Sequence, residues 1–151
     1  MAVQGAYFEI NLAKLKVLNG TVNLSSDTFH IVLCTSAQGL SPTFTGTSGN
    51  AQYSDLTNEL TTANGYTAGG IVMPSTTLTL SGGTVTFGAG NPTWTLTGGG
   101  ITFKYAAIVD WTATNKDIVF YCDMDTSGGS VSPIAGALQI QTNASGIGVW
   151  V

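Results

Sequence analysis

The chain has 151 residues, a formal net charge of −4 and a charged fraction of 8%, where an ordinary soluble domain has about 25%. Its only permanent cations are Lys14, Lys16, Lys104 and Lys116, with no arginine, so it lacks the basic cluster that phosphate neutralisation needs and nucleic acid is excluded as a direct partner. No run reaches the roughly 18 apolar residues of a membrane span, and the length fits one domain, residues 1–151, able to bury a sizeable core. Thr, Ser and Gly stand where charges would, which leaves two readings. Either the surface is uncharged but polar, or much of it is covered by copies of the chain or by a partner.

Met1-Ala-Val-Gln-Gly5 has no basic leader region, which predicts synthesis and folding in a cytoplasm. Residues 7–18 contain no Gly or Pro and stop at Asn19-Gly20, so they read as a short N-terminal helix with a C-terminal stop signal. On that helix Phe8, Leu12 and Leu15 share one face, and Ile10, Ala13 and Val17 nearly the opposite one. Two apolar stripes imply burial on both sides. The alternation Phe8-Ile10-Leu12 also fits a strand. Lys14 and Lys16 are expected to solvate the helix edge.

From residue 21 the period is mostly two. Phe29–Cys34 reads as a strand, with His30 on the side opposite Phe29 and Ile31. Residues 37–52 show no periodicity, and a loop of that length is functional or flexible. Phe44, at its centre, either anchors the loop or touches a neighbouring subunit. One further helical turn is expected near 55–60, where Ser54 or Asp55 can accept from open amides. Gly65, Gly69 and Gly70 then permit a bend before a strand at Ile71.

Leu78 and Leu80, then Val85 and Phe87, alternate with hydroxyl residues around Ser81-Gly82-Gly83, a hairpin signal. Pro92–Leu96, Ile101–Val109, Ile118–Cys122, Ala137–Gln141 and Gly146–Val151 complete the set. Ile101–Val109 turns continuously apolar towards its end, as a central strand covered on both faces would. Short strands separated by Gly, Asn and Ser turns predict a mainly β domain, a sandwich or jelly-roll-like fold.

Chemistry finds little footing. Asp123-Met-Asp-Thr-Ser-Gly128 matches the opening half of a calcium loop, but Ile134 stands where a bidentate glutamate should, and an acidic hairpin is the simpler reading. His30 is the only imidazole, the eight acids are scattered, and the glycine runs precede strands rather than helices. One histidine and two distant cysteines cannot make a zinc site. No catalytic residue, metal site or cofactor is predicted. Cys34 and Cys122 read as small core residues with free thiols, or else as a disulfide that sequence spacing cannot decide. Trp94 reads as core, Trp111 as a strand-end aromatic open to contact, and Trp150 as a docked C-terminal strand or an indole offered to a neighbour.

Tyr53-Ser-Asp-Leu-Thr-Asn-Glu-Leu60 with Asn64-Gly-Tyr-Thr-Ala-Gly-Gly70, the strand Phe29–Ser36, and downstream Thr84–Phe87, Trp94 and Tyr105–Asp110 resemble a pattern of small tailed-bacteriophage structural proteins of the head decoration, or cement, type. The likeness spans about two-thirds of the chain. It implies a virion protein, made in the host cytoplasm, that binds the outer surface of the phage head and stabilises it. Its partners would be the major capsid protein and itself, as a homotrimer, and it would not be an enzyme. The residues expected at partner contacts are Phe44, Tyr53, Trp111 and Trp150. The rival reading is a tail or fibre component that stacks a cell-surface glycan on exposed aromatics such as Trp111.

Overall fold

The computed structural model describes residues 1–151. It is mainly β, as the alternation predicts. The strands are β1 (Tyr7–Glu9), β2 (Phe29–Cys34), β3 (Ile71–Val72), β4 (Thr77–Ser81), β5 (Thr84–Gly88), β6 (Thr93–Leu96), β7 (Tyr105–Asp110), β8 (Ile118–Asp123), β9 (Gly136–Gln139) and β10 (Gly148–Trp150). One helix, α1 (Asn11–Leu18), and two 3-10 turns, Ser36–Gln38 and Tyr53–Asp55, complete the elements. No helix is long and apolar enough to cross a membrane.

An antiparallel five-stranded sheet, in the order β1-β8-β7-β2-β3, carries the core. Its central strand β7 is buried from Ala106 to Asp110, and Ile31, Val32, Leu33 and Cys34 of β2 are fully buried on alternate faces. The apolar stretch thus becomes a strand covered on both sides. Residues 101–104 lie outside β7, and Phe103 bridges to Val131 instead.

A second sheet, β10-β5-β4, packs on the first through Phe87. Its ring meets Phe29 edge-on at 5.2 Å between centroids and stacks on Phe120 at 5.6 Å. β6 and β9 form a separate ribbon. The β4–β5 hairpin turns on Gly82 and Gly83, both at positive φ (57° and 86°). That is the turn geometry whose twist matches a two-residue hairpin.

The N-terminal segment departs from the expected helix over 7–18. Tyr7–Glu9 is strand, paired with the edge of β8 in the register Tyr7↔Cys122, Phe8↔Tyr121 and Glu9↔Phe120. Helix begins only at Asn11, after an extended Ile10. Three residues are too few to separate a period of 2 from one of 3.6, and the open ladder of β8 decides the conformation. The second helical segment is likewise shifted, being a 3-10 turn at Tyr53–Asp55 and not a turn over 55–60. Leu56 has ψ 61°, which ends it.

Register settles the cysteines. Cys34 pairs with Tyr105 and Cys122 with Ala106, adjacent residues of β7. Adjacent strand residues face opposite sides, so the two thiols lie on opposite faces of the sheet with β7 between them. Both are buried and free.

Candidate partner interface

The segment that carries the resemblance folds as one hydrogen-bonded unit around Glu59. Its Oε2 accepts from the Tyr53 hydroxyl at 2.6 Å, and its Oε1 accepts from the Tyr66 hydroxyl at 2.8 Å and from the Gly69 amide. Burial pushes the Tyr66 and Tyr53 hydroxyls up in pKa, so both remain donors. The Tyr66 oxygen in turn accepts from the Leu33 amide of β2 at 3.0 Å. Gly70 lies at φ 65°, where an added Cβ would run into the Ile31 carbonyl. Glycine is therefore what lets this bend close onto β2.

Three further side chains, His30, Trp111 and Lys116, join the unit from distant elements. His30 Nδ1 lies 2.8 Å from the Gly69 carbonyl oxygen. A carbonyl only accepts, so Nδ1 carries the hydrogen. As its register predicts, His30 faces away from Phe29 and Ile31, and its ring stacks on Trp111 at 4.1 Å and 3°. The Tyr53 ring meets Trp111 edge-on at 4.9 Å. Lys116 Nζ sits 3.8 Å from the Trp111 centroid, a cation–π distance.

Asp55 organises the 37–52 loop. It accepts from Ser48 Oγ at 2.6 Å, the Ser48 and Gln52 amides at 2.8 Å each, and Thr47 Oγ1 at 3.1 Å. Burial raises its pKa, but these bonds outweigh it and hold the carboxyl below its ordinary value. The buried Gln38 braces the turn by donating to the Asp55 carbonyl and accepting from the Asn58 amide. Phe44 is half-buried and packs against the core.

Other charges are also engaged within the chain. Lys16 does not solvate a helix edge. It pairs with the buried Asp117 at 2.6 Å and donates to the Asn50 carbonyl. In the acidic hairpin, Lys104 Nζ contacts Asp123 Oδ1 at 3.1 Å and the Asp125 carbonyl at 2.8 Å. Asp125 Oδ1 accepts from Ser127 Oγ and the Ser127 amide. The calcium-like spacing is therefore filled by an ammonium and by its own turn.

Of the four residues expected at contacts, the fold joins Tyr53 to Trp111 and places Trp150 elsewhere. Trp150 packs on Phe120 at 6.2 Å and donates from Nε1 to Glu9 Oε2 at 3.3 Å. It lines an open groove of about 580 Å³ with Val17, Leu18, Leu78 and Val85 among its walls. Glu9 Oε1, at the groove edge, is buried without a partner. Leu18 is 86% exposed, Leu80 71% and Leu78 40%. Sequence reasoning missed this groove: of the two apolar stripes read on the N-terminal segment, only Val17 lines it, while Ile10 and Ala13 are buried in the core.

Compared with known family models, curated proteins and solved structures, the chain matches none.

Proposed function

We propose that the chain is a virion structural protein that coats the outside of a tailed-phage head and cements it, acting by adhesion and not by catalysis. The observation that carries the reading is a nearly chargeless surface on which large apolar side chains stand exposed while the charged groups bond inward. Leu15, Leu18, Val72, Leu80, Ile134 and Val149 are all more than half exposed. Apolar residues scattered singly are ordinary, but Leu18 and Leu78 gather with Val17, Val85 and Trp150 around one groove, and a gathered apolar patch of this kind marks a surface that is covered in use. The sequence pattern around Tyr53–Gly70 supplies the phage context. Each copy would bury part of this surface across joints between capsid subunits, with copies joined to one another as a homotrimer. Separating the subunits would then require peeling off a multivalent coat.

The rival reading, a glycan-binding tail component, has less support. A sugar stacks on an open aromatic face, whereas Trp111 already holds an imidazole and an ammonium. The test is to add purified protein to undecorated expanded heads, count bound copies by cryo-EM and measure head rupture on heating. High, symmetric occupancy with a raised rupture temperature is expected. Absence from heads, or presence at a few copies on the tail, overturns the proposal.

A further inference from the structure

The second sheet ends in an unprotected edge. β4, Thr77-Leu-Thr-Leu-Ser81, is the outermost strand of β10-β5-β4, and all five of its residues are exposed. Natural edge strands are guarded by charges, proline, bulges or covering loops. This one has no charge and no proline, and its register with β5 is unbroken from Thr77↔Gly88 to Ser81↔Thr84.

The hairpin fixes which backbone groups are free. In a two-residue hairpin the residues flanking the turn, Ser81 and Thr84, form a hydrogen-bonded pair, and such pairs alternate along the ladder. Thr77, Thr79 and Ser81 therefore bond to β5. The amides and carbonyls of Leu78 and Leu80 point outwards with no strand beside them.

The strand is also a palindrome in character about Thr79: hydroxyl, Leu, hydroxyl, Leu, hydroxyl. Two copies laid antiparallel with Thr79 on a two-fold axis set Leu78 opposite Leu80 of the other copy, twice. Both pairs are hydrogen-bonded positions, so every outward amide and carbonyl of Leu78 and Leu80 is satisfied. The leucines meet leucines on one face, and Thr79 meets Thr79 on the other. Opposite residues on paired strands share a face, so Leu78 lies with Phe87 and Leu80 with Val85. That is the face of the groove walled by Leu18, Val85 and Trp150.

We infer that β4 is a self-complementary contact through which two copies of this chain join their three-stranded sheets into one continuous six-stranded sheet. The occupant is a second copy because the free groups and side chains match their own reversal. A contact of this kind is isologous and closes as a pair. It rests on the edge alone and holds whether or not the chain coats a capsid, and it can link trimers across two-fold positions.

The register makes the test specific. Sedimentation of the full chain should show a two-fold association that L78K/L80K weakens roughly tenfold or more, because like charges then face each other twice. L78K/L80E should restore it, since every Lys then faces a Glu. T79C should form a disulfide-linked dimer on mild oxidation, and T84C should not. Circular dichroism checks that each variant folds. A wild-type chain with no two-fold association at high concentration overturns the inference. So does a pair indifferent to L78K/L80K, or one that T79C fails to cross-link.

Discussion

Asp110 is the residue whose environment works hardest against its charge. It is fully buried at the end of β7, with Oδ2 unpartnered. Burial is the main cause that raises its pKa, to about 6 from 3.8, with the nearby Asp27 adding to the rise. Amide bonds from Thr112 and Ala113 oppose it. The folded state therefore holds a proton that the unfolded chain releases, and stability falls as pH rises from about 4 to about 6. Above that window the full penalty persists. Asp110→Asn keeps the Oδ1 acceptor for both amides and removes the charge. We expect its Tm to exceed wild type by roughly 6–12 °C at pH 7.5 and to match it near pH 4, as melts at the two pH values will show. A gain of equal size at both would mean that packing, not ionisation, is responsible.

At the scale of elements, the two sheets meet through Phe87 and, beside it, through Trp150 on Phe120. Phe87 touches Phe29 of β2 and Phe120 of β8, so Phe87→Ala opens a cavity between layers. It should cost about 3–5 kcal/mol in urea unfolding; a loss below about 1 kcal/mol would show that the layers are held elsewhere. Such elements were legible where local chemistry sufficed. Gly82-Gly83 announced the hairpin, and the alternation of Phe29–Cys34 gave both the strand and the side on which His30 lies. Tyr7–Glu9 was not legible, because its conformation is set by the open edge of β8, far along the chain. The Glu59 unit was only half legible. Its glycines could be read as a bend, but its donors arrive from β2, the 3-10 turn and the bend, and only the fold assembles them. The groove beside Trp150 was hidden for the same reason, since α1, β4, β5 and β10 each supply a wall.

For the molecule as a whole, the notable economy is that its charges are spent internally. Lys16 is taken by Asp117, Lys104 by Asp123, and Lys116 by the Trp111 ring. Lys14 is the cation left at the surface, against a net charge of −4. On the proposed coating function, a surface built this way has few counterions to release and little Coulomb attraction to screen. Its attachment should therefore change little in strength between dilute buffer and about 1 M NaCl, where the Debye length shrinks to about 3 Å. Occupancy on heads measured across that range is the check, and a steep fall with ionic strength would point to a charged footprint instead. If the proposed coating holds, a particle that leaves a lysed cell for fresh water or brine would keep its coat in either.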